Sequence, residues 1–205
     1  MVEQQLRRRG IHDERVLSAM YKVPRHEFVA RQSWSEAYAD HPVVIGEQQT
    51  TSQPYIIAAM VQAAQISPES RVLEIGAGSG YQTAVLAELA NQVFAVERFS
   101  SLAETARQTL ERLGYRNVKI VAGDGSLGYP EAAPYDGIIV SAAAPQIPPA
   151  LVQQLAPGGH LVVPVGDSQQ QVLQLVSRDM SGEITVQIME GCRFVPLIGK
   201  QGFAA

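Results

Sequence analysis

At 205 residues, with sixteen Lys and Arg against twenty Asp and Glu and a net charge of −4, the chain is long enough to bury a sizeable core. Its mildly acidic surface exerts no general pull on nucleic acid. One cysteine, Cys192, excludes an internal disulfide framework and suits a reducing compartment. No apolar run approaches the roughly 20 residues of a bilayer span, and "MVEQQLRRRG" lacks the apolar centre of a signal peptide. The expectation is a cytoplasmic monomer without membrane or nucleic-acid partners.

The first region, residues 1–53, reads as short helical pieces. Arg7-Arg8-Arg9 form the solvated last turn of one, ended by Gly10. Asp13 is the N-cap of the next, with Val16, Leu17 and Met20 on one face and a stop at Pro24. Turn-prone polar residues follow through "ADHPVVIGEQQTTSQ".

Residues 54–166 alternate between two periods. "PYIIAAMVQAA" places Ile56, Ile57, Met60, Val61 and Ala64 on one helical stripe. "RVLEI" is strand-like, "YQTAVLAELA" helical, and "QVFAVE" again a strand. Leu102, Ala106, Leu110 and Leu113 then make a stripe closed by Gly114. "VKIVAG" and "GIIVSA" are further strands, "PPALVQQL" a short helix, and "HLVVPV" a fifth strand. Short apolar strands separated by amphipathic helices predict a doubly wound, mostly parallel α/β sheet covered on both faces. In residues 167–205, "QVLQLVSRD" and "EITVQIME" joined through "MSG" predict an antiparallel hairpin on the sheet edge. The three regions together read as one domain.

In such a sheet, ligands bind beyond the carboxyl ends of the strands. After the first of these strands stands Gly76-Ala77-Gly78-Ser79-Gly80-Tyr81. The dinucleotide fingerprint G-x-G-x-x-G/A wants a small residue at 81, where a tyrosine ring would obstruct close helix–strand packing, and no Gly-Lys-Ser/Thr marks a P-loop. Glu74, in the strand end, would repel a pyrophosphate and attract a sulfonium or ammonium. Glu97, twenty-one residues beyond Gly76, can accept both hydroxyls of a ribose. Asp124 and Gly125, in "AGDG", put an acceptor where an adenine amino group could meet it. Each piece has a plainer role: a turn, a helix-start carboxylate, an Asx turn. Together, at consecutive strand ends, they describe S-adenosylmethionine, a nucleoside with a positive sulfur and no phosphate.

"VLEIGAGSGYQTAVLA", "VSAAAP", "QLAPGGHLVVPVG" and "RFVPLIG", with "MVEQQLRRRGI" and "VPRHEFV" at the front, resemble the protein-L-isoaspartate O-methyltransferases over nearly the whole chain. The resemblance implies a Rossmann-like methyltransferase fold and methyl transfer to the free α-carboxylate of L-isoaspartyl residues in damaged proteins and peptides. It implies a catalytic, substrate-binding role for Ser52 in "TTSQP", with Thr51 beside it where family members more often carry Ile. It also sets Val195 against the substrate peptide. Ser52 could equally be a helix N-cap, and Val195 an ordinary edge-strand residue. A carboxylate acceptor is already ionised at neutral pH, so no general base is needed. His12, His26, His41 and His160 are accordingly read as surface or packing residues, and no metal site is expected.

Other chemistries fit less well. Methylation of a DNA amino group wants an Asn/Asp-Pro-Pro-aromatic turn where Ser141-Ala142-Ala143-Ala144-Pro145 stands, cytosine chemistry wants a Pro-Cys nucleophile, and catechol methylation wants clustered carboxylates. Another carboxyl or small-molecule O-methyltransferase, or a non-catalytic S-adenosylmethionine sensor, stays open.

Overall fold

The computed structural model describes residues 1–204; the last position of the 167–205 segment lies outside the described residues. The chain opens with a π-helical turn, Val2–Leu6, and a 3₁₀ turn, Arg7–Arg9, that Gly10 ends in the left-handed conformation at φ 96°. Asp13 caps α1 (Glu14–Lys22) through a bond accepted from the Arg15 N–H. The supposedly irregular stretch that follows contains a hairpin, β1 (Val43–Gly46) and β2 (Gln49–Thr51). Its two-residue turn puts Glu47 and Gln48 at φ 49° and 56°. That double left-handed geometry normally selects Asn-Gly or Asp-Gly, so two ordinary long side chains hid the hairpin.

The remaining elements fall close to expectation: α2 (Pro54–Ala63), β3 (Arg71–Ile75), α3 (Tyr81–Ala87), β4 (Gln92–Glu97), α4 (Ser100–Arg112), β5 (Val118–Ala122), β6 (Tyr135–Val140), α5 (Pro149–Gln153), β7 (Leu155–Gly166), β8 (Gln171–Arg178) and β9 (Ile184–Cys192). Seven strands form one sheet in the order β5-β4-β3-β6-β7-β8-β9. β3 to β7 pair in parallel, and β8 and β9 add the antiparallel edge.

Because side chains alternate along each strand, Val72, Val93, Ile139 and Val162 feed one core and Leu73, Phe94, Ile138 and Leu161 the other. Helices α2, α3 and α4 cover the first face, with α1 packed outside α2 and α3. The second face is covered less by helix than expected. There α5 is joined by the chain around Tyr129–Ala133 and by Val195 and Leu197 of the C-terminal stretch. No helix among the described residues is long and apolar enough to cross a membrane.

Chain order reverses between β3, whose neighbours on one side are β4 and β5, and β6, which leads to β7. Ligands of open α/β sheets bind at such a switch point.

Candidate active site

At the carboxyl end of β3 the Gly76 N–H donates to the Val96 carbonyl (2.8 Å), and Gly76, Gly78 and Gly80 all have positive φ, at 86°, 54° and 87°. Gly76 and Gly78 line a cavity of about 290 Å³, together with Glu97, Phe99, Gly125 and Ser141. Glu97 is buried at the end of β4; its Oε2 accepts from the Gly78 N–H (2.8 Å) and its Oε1 from the Phe99 N–H (3.0 Å). Each oxygen keeps a further lone pair. The turn and the carboxylate are thus one hydrogen-bonded unit. The other wall is the β1–β2 hairpin: Gln48, Gln49 and Thr50 line the same cavity, and Ser101 pins its turn through a bond to Glu47 (2.6 Å).

Four residues sit differently from expectation. Gly80 does not line the cavity; a Cβ there would lie 3.1 Å from Ala106 Cβ, so its lack of side chain serves packing against α4. Close helix packing therefore falls at 80, and Tyr81 obstructs nothing. Its fully buried ring lies edge-on to Phe28 and 4.5 Å beneath the Arg25 guanidinium. Glu74 is also completely buried and outside the cavity lining, accepting from Gln82 Nε2 (2.9 Å) and Thr83 Oγ1 (2.5 Å). Burial pushes its pKa up to about 8 in spite of those two bonds. Asp124 caps a 3₁₀ turn, Gly125–Leu127: its Oδ1 accepts from the Ser126 N–H and Oγ, and its Oδ2 from the Lys200 N–H (2.9 Å). Those bonds hold its carboxyl below the usual range although burial opposes them. Of this pair it is Gly125 that reaches the cavity.

A second cavity, about 320 Å³, opens beside the first and shares Thr50, Ser141 and Val195 with it. Ser52 lines it. The N-cap of α2 is Gln53, and its side chain makes no cap bond. The Ser52 hydroxyl has no hydrogen-bond partner among the described residues, so helix capping does not occupy it. Thr51 is turned inward, buried, its Oγ1 accepting from Arg25 Nη1 (3.3 Å); Thr50 faces the cavities instead. Val195 lines both cavities while its carbonyl accepts from the Ala143 N–H (2.8 Å).

Sequence reading missed several contributors here. Arg25, fully buried, donates through Nε to the Ala37 carbonyl (2.7 Å) and through Nη2 to the Ser52 carbonyl (2.7 Å). No carboxylate pairs with it among the described residues; burial lowers its pKa, but a guanidinium stays protonated, and its charge favours an anion near Ser52. Arg9 is not merely solvated: it stacks over Tyr55 at 3.5 Å, pairs with Asp40 (2.5 Å) and lines the second cavity. Glu190, Cys192 and Arg193 contribute from the end of β9. Burial and Glu190 push the Cys192 thiol up to about 11, far from a nucleophile's range. Only the pairing of "RRRG" with a distant aromatic would have revealed Arg9, and sequence alone does not show which aromatic that is. Neither cavity is lined by a histidine; His26, for example, sits against Trp34 and Tyr38.

A carboxylate tied to a glycine turn at the switch point, with no P-loop, fits a positively charged nucleoside. Fold and crevice together define a Rossmann-like, S-adenosylmethionine-dependent methyltransferase. The family model for protein-L-isoaspartate(D-aspartate) O-methyltransferase matches residues 1–202, and the chain belongs to that family. It is 53% identical to the protein-L-isoaspartate O-methyltransferase of Koribacter versatilis, over all of this chain and 91% of the relative. A solved protein-L-isoaspartate O-methyltransferase superposes with a TM-score of 0.87 at 31% identity, covering 98% of this chain and 67% of the other. A Plasmodium falciparum structure described as a beta-aspartate methyltransferase in complex with S-adenosyl-L-homocysteine superposes at 0.81, with 27% identity and 96% of each chain covered.

Proposed function

We propose that this protein is a repair methyltransferase acting on the free α-carboxylate of L-isoaspartyl residues in damaged proteins and peptides. The observation that carries the proposal is the pair of cavities meeting at Thr50, Ser141 and Val195, one built on Glu97 and the glycine turn, the other around an unpartnered Ser52 hydroxyl. Family membership and the S-adenosyl-L-homocysteine held by the Plasmodium relative support it.

S-adenosylmethionine, when bound, supplies an electrophilic methyl: a carboxylate oxygen bonds to that carbon as the carbon–sulfur bond breaks and its electron pair stays on sulfur. No proton moves, which agrees with two cavities that no histidine lines. Glu97 takes the ribose hydroxyls with its spare lone pairs, Gly76 and Gly78 let the backbone approach, and Gly125 bounds the adenine side, with the remaining acceptor capacity of Asp124 behind it. Glu74 acts from beneath, through Gln82. Ser52 donates to the acceptor carboxylate and holds it within the 3–3.5 Å or so that reaction needs. Thr51 anchors that loop to Arg25, and Val195 lies along the substrate backbone; its N–H has no partner among the described residues. Backbone contact reads an extended chain without reading its side chains. The methyl ester then closes to a succinimide with loss of methanol, and hydrolysis returns some normal aspartate.

In this view the chain is one unit in which residues 1–53 shape the acceptor side, 54–166 hold the cofactor and 167–205 meet the substrate. It works as a monomer in the cytoplasm without nucleic acid; a single half-buried thiol and a net charge of −4 suit that setting. Incubation with labelled cofactor and an isoaspartyl peptide, beside its normal aspartyl twin, tests the proposal. Base-labile label on the first alone is expected. Equal label on both, or none on either, would overturn it and favour a different acceptor or a sensor.

A further inference from the structure

Ser141 stands directly after β6 and beside β3 at the switch point, and lines both cavities. Its N–H donates to the Ile75 carbonyl (2.8 Å), and a Cβ on neighbouring Gly76 would come within 3.6 Å of Ser141 Cβ. Of the three residues common to both cavities, Val195 is apolar and Thr50 lies on the exposed hairpin; Ser141 is the one whose polar atom is fixed by a buried partner. Gln82, buried in the first turn of α3, donates from Nε2 to Ser141 Oγ (2.9 Å) and from the same nitrogen to Glu74 Oε1 (2.9 Å). An amide nitrogen has two protons, and both are committed. The serine oxygen is therefore an acceptor toward Gln82, and its own O–H has no acceptor among the described residues. What it can face are the two cavities it lines.

We infer that Ser141 is a second hydroxyl contact for the acceptor carboxylate, aimed from the opposite side to Ser52 by the Gln82–Glu74 strut. The inference rests on the function proposed above. The useful contact is to the carboxylate oxygen that does not react, since a donor on the reacting oxygen would stabilise the anion more than the ester-like transition state. Two donors from different walls fix the plane of the carboxylate, and orientation of that kind appears in turnover. Of these three, Gln82 and Glu74 are positioning residues and Ser141 is the one that touches substrate.

The test compares Ser141→Val with Ser141→Thr, side chains of matched shape that differ in the hydroxyl. Turnover of an isoaspartyl peptide and calorimetric affinity for S-adenosylmethionine are measured for both, beside the wild type. Ser141→Val is expected to lose roughly 10- to 100-fold in kcat/KM, the worth of one hydrogen bond to a charged group. Ser141→Thr should stay near wild type in turnover, and the two variants, matched in shape, should bind the cofactor equally. Adding Gln82→Leu should shrink the difference between the two, because the hydroxyl is no longer aimed. If either bulkier side chain prevents folding, Ser141→Ala against wild type carries the comparison. Equal turnover of the Val and Thr variants, or loss of cofactor affinity in step with turnover, would overturn the role of Ser141 while wild-type activity keeps the repair function standing. A wild-type protein that labels no isoaspartyl peptide would instead remove the repair function, and this contact with it.

Discussion

The two halves of the crevice are built in contrasting ways. The proposed cofactor half is local: the glycine turn follows β3, Glu97 ends the adjacent strand, and a single bond from Gly78 joins them. The proposed acceptor half is assembled from Arg9, Thr50, Ser52, Ser141 and the stretch 190–195, which come from distant parts of the chain. Its geometry is held from behind by Arg25. A motif of neighbouring residues can tolerate local change; an assembled site depends on the few groups that bridge its parts.

That contrast predicts that the most damaging change lies outside both cavities. Arg25→Met leaves the Ala37 and Ser52 carbonyls without their donor, and should cost about 2–4 kcal/mol of stability. Chemical denaturation should show the loss, and turnover should fall further than cofactor affinity. Retained stability with normal turnover would break the bridging role. Glu97→Ala strikes the local half, and should weaken cofactor binding by about 1.5–3 kcal/mol, the worth of bonds to a charged acceptor; calorimetry that finds no loss removes Glu97 from the site. Ser52→Ala should lower turnover roughly tenfold or more with cofactor affinity nearly unchanged. Since the structure shows no capping bond from Ser52, thermal stability should also stay the same, and a clear drop would restore the capping role.

The smallest effect concerns pH. Between the ordinary 4.5 of a glutamic acid and about 8, the folded chain keeps a proton on Glu74 that the unfolded chain has released. Stability contributed by the neutral carboxyl is full below 4.5 and is lost as pH rises toward 8. Asp13, Asp124, Asp167 and Asp179 are shifted downward and titrate below this window. Half-buried His160, shifted down by desolvation, acts in the opposite sense as pH falls. Comparing Glu74→Gln with wild type isolates the first effect: the variant should show a flatter profile of unfolding free energy from pH 5 to 8. Parallel profiles would mean that Glu74 ionises freely.

How much was legible in the sequence follows the same division. "RVLEI" and "QVFAVE" are β3 and β4 to the residue, because strands buried on both faces are unbroken apolar runs bounded by turns. The β1–β2 hairpin was not legible, since Glu47 and Gln48 adopt left-handed geometry without the residues that announce it. Glu97, Gly76 and Gly78 line one cavity, as spacing along one motif sets their geometry. Ser141 and Arg9 were overlooked because their meaning lies in Gln82 and Tyr55, partners that only the tertiary structure supplies. Gly80 and Asp124 lie outside that lining: Gly80 packs against α4, and Asp124 also secures the C-terminal stretch.

Tyr81 gives the crevice a property that neither half has alone. Its ring, one residue past the glycine turn, carries the Arg25 guanidinium, which in turn grips the backbone of Ser52. The two proposed platforms are therefore bolted together by two side chains, Tyr81 and Arg25, that line neither cavity. Grafting the first fifty residues of a different methyltransferase onto this sheet would sever that brace, so altering acceptor preference calls for changing residues 25, 52 and 81 as a set.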